Sequence, residues 1–197
     1  MISKLSEKAV DALLSHGDLP QEDRELYVYG FFMLFSKSFF FLLTFIYGAL
    51  LGNIMESIIF YIMFTVIRGY AGGVHASKES TCTICTSLSL LLFVAGMRLC
   101  KDLSLVIAPL LFLLFSATCI FIMSPLDTEA KRLTKEEKKE YGKKSNVFTI
   151  LILTAALSTL ALGKTGMLYP SAAALTFEST LLISGKIISI FRADQNN

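Results

Sequence analysis

Apolar residues dominate six stretches of this chain, at 31–51, 54–67, 84–99, 103–123, 147–162 and 167–191, with polar residues gathered between them. A helix that crosses a bilayer needs about 20 predominantly apolar residues, with a range of about 17–25. The first, fourth and sixth stretches reach that length outright. The second, third and fifth fall short, so they either recruit flanking residues such as Asn53, Gly69 and Tyr70 or re-enter without crossing. Six spans is the reading, with four full spans and two partial ones as the alternative. Ahead of them, Ile2, Leu5, Ala9, Val10, Leu13 and Leu14 recur at helical spacing within a polar segment, 1–29, until His16-Gly17 and Pro20 break the pattern. That periodicity predicts an amphipathic helix lying at the membrane surface or against the protein. It does not read as a signal peptide, because a basic start followed by an apolar run is missing, and no cleavage is expected. The predicted fold is therefore all-α: a polytopic membrane helical bundle of about six transmembrane segments with an N-terminal amphipathic helix, in one domain over 1–197.

Composition agrees. Of 197 residues, 54% are hydrophobic and 17% charged, where a soluble domain runs about 45–50% and about 25%; mean hydropathy is +0.62. A globule of this size cannot bury such an excess, so much of it faces lipid. Sixteen Phe and long Leu/Ile runs do not make a phosphate-reading surface, so no nucleic-acid partner is expected. Four Cys in 197 residues are too sparse to staple a fold.

Charge orients the bundle. With the N-terminus inside, only Arg98, Lys101 and Lys164 of the 18 Lys and Arg fall in outer loops. Lys37 and Lys186 lie within apolar stretches, and all the rest are cytoplasmic, which is the positive-inside pattern. Both termini, the 68–81 connection and a basic loop at 125–146 then face the cytoplasm. The loop reads either as a topology determinant touching anionic lipid headgroups or as a docking surface for an acidic peptide. Pro125 marks an exit from the membrane, and Pro170 is expected to kink the last helix. Glu56 and Glu178 are costly inside apolar stretches and read as buried polar partners, with Lys37 or Lys186 as candidate cations.

Candidate chemistry is concentrated in residues 68–85. This stretch holds one of two His, two of four Cys and the pair Gly72-Gly73. A thiol becomes a useful nucleophile at neutral pH beside a His that takes its proton, which makes His75 and Cys82 a candidate dyad. On one straight helix they would lie about 10 Å apart along the axis, so the connection has to bend. Ser77–Ser80 supplies turn-prone residues, and Gly72 and Gly73 permit an unusual backbone path or a close approach. The rival readings are weaker. Zinc needs four ligands, and His75, Cys82 and Cys85 give three at best, so no metal and no cofactor are expected. Cys85, Cys100 and Cys119 read as packed thiols, and His16 reads as a solvated surface residue.

The pattern Arg68-x-x-x-Gly72-Gly73-x-His75-Ala76, with Cys82 seven residues after the His, resembles the signature of the AgrB family of membrane cysteine endopeptidases in Gram-positive quorum sensing. The amphipathic start, the six apolar stretches and the Lys/Arg-rich loop after Ser124-Pro125-Leu126-Asp127-Thr128 agree with that resemblance over essentially the whole chain. It implies Cys82 as nucleophile and His75 as general base and acid, with Arg68, Gly72 and Gly73 in support. Arg68 either pairs with a substrate carboxylate or anchors a helix end. Glu79 is a nearby candidate for a third member, and a dyad without one is equally open. The implied partners are an AgrD-like precursor peptide, membrane lipids and a second copy of the chain as a homodimer. The implied setting is the cell membrane, with the active site on the cytoplasmic side. The alternative from another class is a non-catalytic membrane protein that binds or exports a peptide, with Cys82 merely packed.

Overall fold

A computed structural model of the chain describes residues 2–15, 21–73, 79–126 and 133–195. Seven α-helices account for most of them: α1 (Ile2–Ser15), α2 (Arg24–Leu51), α3 (Ile54–Ala71), α4 (Glu79–Asp102), α5 (Ile107–Met123), α6 (Lys135–Ala161) and α7 (Leu168–Gln195). The fold is an all-α polytopic membrane bundle with an amphipathic N-terminal helix, and each of the six apolar stretches has become one helix, α2 to α7. Five of these are long and apolar enough to cross a membrane; α5, with 17 residues, is shorter.

Lengths depart from the hydropathy reading in an instructive way. The stretches that looked short are extended by polar residues at their ends, to 18 residues in α3, 24 in α4 and 27 in α6. The stretch at 103–123, which looked complete, loses its first four residues to a turn in which Ser104 has a left-handed φ of 52°. The basic stretch 125–146 is not loop throughout. From Lys135 it forms the first turns of α6, started by a capping box in which Thr134 and Glu137 satisfy each other's backbone N–H groups. Pro170 does not kink α7. It is the third residue of that helix, in the first turn, where no backbone N–H has an intrahelical partner and a proline costs nothing.

Helix α7 is the axis of the bundle. One side packs Leu168, Ala172, Leu175 and Leu182 against Ile67 and Ala71 of α3, Leu113, Ala117 and Ile120 of α5, and Ile152 and Ala156 of α6. The other side sets Tyr169, Ala173, Ala174 and Phe177 against Phe60 and Phe64 of α3 and Leu90, Val94 and Met97 of α4. Phe177 stacks on Phe64 at 4.4 Å between ring centroids and meets Phe93 at 4.9 Å. Lipid supplies no hydrophobic force between helices, so association depends on close packing and interhelical hydrogen bonds. The run Ser171–Ala174 lets neighbours approach, and Ser116, Thr176 and Ser179 hydrogen-bond across α5 and α7. Outward-facing Leu50, Leu92, Ile107 and Ile122, all more than 70% exposed, form the lipid-facing rim.

The two acidic residues flagged in apolar stretches find other cations than Lys37 or Lys186. Glu56, in the first turn of α3, pairs with Lys101 at the end of α4, so it sits at a helix boundary and not at mid-depth. Glu178 pairs with Arg68. Lys37 instead borders a groove of about 360 Å³ between α2 and α3, where the Tyr61 hydroxyl donates to its carbonyl oxygen at 2.7 Å.

Candidate active site

The last turn of α3 carries Arg68, and its helix ends where Gly72 takes φ 78°, ψ −151° and Gly73 takes φ 126°. Side chains other than glycine rarely adopt either conformation. Space enforces the same choice. A Cβ on Gly72 would come within 2.6 Å of the Leu126 carbonyl oxygen, and one on Gly73 would collide with the Arg68 guanidinium. The backbone is pinned from two sides. Leu126 N–H donates to Ala71 O at 2.9 Å beside a bridge between Gly72 and Leu126, and Arg68 Nη1 donates to Gly72 O at 2.5 Å. Arg68 Nη1 also lies 3.7 Å from Glu178 Oε1. Arg68, Gly72 and Gly73, the three supporting residues singled out from sequence, are thus one physical unit, completed by Leu126 and Glu178, which sequence reasoning did not connect to it.

Tyr70 fastens the same corner to α6. Its ring stacks on Phe148 with centroids 5.4 Å apart, meets Tyr141 at 6.0 Å, and carries Lys144 Nζ 5.6 Å from its centroid. The basic opening turns of α6 therefore stand beside the end of α3.

His75 and residues 74–78 around it lie outside the described residues. The chain is described again from Glu79, the first residue of α4, and Cys82 sits in that first turn, half-buried, with a free thiol. The structure therefore brings Arg68, Gly72 and Gly73 together and carries Cys82 separately on α4; the dyad geometry itself falls on the undescribed segment.

Among the described residues Glu79 engages the start of α1. Its Oε1 accepts from the Ile2 and Ser3 N–H groups at 2.9 and 3.4 Å, and its Oε2 accepts from the Ser3 hydroxyl at 2.7 Å. A carboxylate there satisfies orphan donors at the start of α1 and complements that helix's positive end. The amphipathic helix is thereby fastened to the helix that carries Cys82. Ser3 and Glu79 are 76 positions apart, and no local signal joins them. Among the described residues no group of His, Cys, Asp and Glu could hold a metal ion.

The sequence pattern of the family described as Accessory gene regulator B matches residues 6–189. An AgrB-like protein of Clostridium perfringens strain SM101 is 27% identical over 168 residues, covering 81% of this chain and 78% of its own length. An AgrB-like protein of Listeria monocytogenes serovar 1/2a is 28% identical over 157 residues, covering 76% of this chain and 74% of its own. No solved structure matches the chain.

Proposed function

This chain belongs to the Accessory gene regulator B family, and on that footing we propose that it is a membrane cysteine endopeptidase that trims and cyclises an AgrD-like quorum-sensing propeptide. Cys82 is the nucleophile and His75 the general base and acid. The precursor's amphipathic leader lies on the inner leaflet, and its acidic C-terminal tail is the part removed. His75 takes the Cys82 proton as sulfur attacks the carbonyl carbon at the tail junction. The C–N bond breaks, the tail leaves as an amine carrying that proton, and the rest of the precursor is held as a thioester on Cys82. An internal Cys or Ser of the precursor then attacks the thioester carbonyl, closing a thiolactone or lactone ring and returning the proton to Cys82. For a thiolactone, one thioester is exchanged for another, so the ring closes without ATP. A site at the membrane boundary limits competing hydrolysis by restricting water and holding the internal nucleophile close.

One observation carries this reading: a free, half-buried thiol lies in the first turn of α4, a short way along the chain from the pinned Arg68–Gly72–Gly73 corner, and the family match runs through both. The corner and Cys82 bracket His75 in the chain. The basic turns of α6 beside Tyr70 present exposed Lys139 and Lys143 to an acidic tail, next to Lys144, which pairs with Glu140.

Co-expression with a candidate precursor, followed by mass spectrometry, tests the assignment. The expected result is a covalent precursor fragment on Cys82, and no tail release from Cys82→Ala or His75→Ala variants that insert normally. Tail release by both variants would sink the dyad and favour a protein that binds or exports the peptide.

A further inference from the structure

Glu178 is fully buried in α7, and neither of its carboxylate oxygens accepts a hydrogen bond from the described residues. It stands ten residues into the helix, about 15 Å along it. An acid at that depth is costly. If its purpose were only to hold α3 against α7, an apolar side chain of similar volume would serve as well or better. Among the described residues the charge facing it is Arg68, at 3.7 Å, and that guanidinium does something no apolar contact can. Through Nη1 it holds the Gly72 carbonyl, and it fills the space where a side chain on residue 73 would be. Leu181, one turn along α7 from Glu178, flanks the same glycine, 3.5 Å from where its Cβ would be.

From this geometry we propose that Glu178 is a positioning residue for the peptidase site. Its carboxylate fixes the Arg68 fork, the fork fixes the Gly72–Gly73 corner, and the corner sets where the chain departs toward His75. The relay is Glu178–Arg68–Gly72 and touches no substrate. It rests on the His75–Cys82 reading, since what it positions is the base that serves the thiol. An arginine suits the task because its planar fork presents several N–H donors in fixed directions, whereas a lysine is a point charge on a flexible stem.

The test uses the full chain in detergent micelles, with Cys85, Cys100 and Cys119 replaced so that only Cys82 reacts, and follows its alkylation by iodoacetamide across neutral and alkaline pH. Glu178→Gln is expected to slow alkylation at neutral pH about tenfold, as His75→Ala does, with the difference vanishing at alkaline pH where any thiol is ionised. Glu178→Asp, which keeps the charge, is expected to recover most of the rate. A Glu178→Gln protein that is monodisperse and reacts like the parent, while His75→Ala is slow, overturns the positioning role and leaves the dyad standing. If His75→Ala itself reacts like the parent, the dyad fails and this relay falls with it. Should Glu178→Gln not fold, the Arg68→Gln/Glu178→Gln pair removes both charges together. That protein must also be slow, and parental reactivity in it counts against the proposal.

Discussion

Gly73 is the residue at which backbone and side-chain constraints coincide most tightly. Its φ of 126° is one that other residues rarely adopt, and the Arg68 guanidinium occupies the place of its missing side chain. Gly73→Ala is expected to cost about 1–3 kcal/mol in backbone strain, and it must also push Arg68 off the Gly72 carbonyl. Precursor cleavage should fall at least as far as in Arg68→Gln, with membrane insertion intact; normal cleavage by Gly73→Ala would show that the corner is dispensable. At this scale the sequence singled out Arg68, Gly72 and Gly73 but was silent about what joins them. The glycine pair stood out because no helix needs one. That Gly72 lies against the Leu126 backbone, and that Glu178 backs Arg68, are contacts between distant parts of the chain that no periodicity encodes.

Among the helices, the least expected join is between α1 and α4. Apolar spacing predicted α1 correctly as amphipathic, and it packs along α2 with Val10 buried and Asp11 paired to Arg24 at 2.7 Å. The Glu79 carboxylate adds a fastening at its first turn. Glu79→Gln is expected to weaken it by about 1 kcal/mol, the usual worth of a helix N-cap. Amide hydrogen exchange over residues 2–6 should rise several-fold while α7 stays protected, and unchanged exchange there would show that α2 alone holds α1. Helix ends were the least legible elements in the sequence. Hydropathy counts apolar residues, but α6 begins twelve positions before its apolar stretch because Thr134 and Glu137 cap it. Capping is a hydrogen-bonding property, and it starts helices in polar sequence.

For the whole molecule, the six-stretch pattern was enough to foresee the bundle, because burying backbone polar groups in lipid leaves a helix as the default for each stretch. Packing order was not visible. Helix α4 is the more apolar of α4 and α7, yet of the two it is α7 that is enclosed on both sides by neighbours. Orientation is a separate prediction from the charge distribution. In a background without native cysteines, Lys164→Cys in the α6–α7 turn should react with an impermeant maleimide added to intact cells. Lys138→Cys in α6 should react only after permeabilisation. The opposite pattern would invert the topology and move the candidate site to the outer face.

The central place of α7 has a consequence for biogenesis. Each helix can enter the bilayer as it leaves the ribosome, but α3, α4, α5 and α6 all share a packing partner that is translated after every one of them. Until it arrives Phe60, Leu113 and Ile152 lack that partner, and the contacts open to the earlier helices are those of α2 with α3 and α4 and of α6 with α3 and α5. The two buried clusters of the bundle are therefore completed only once α7 has been made, after all the helices it joins.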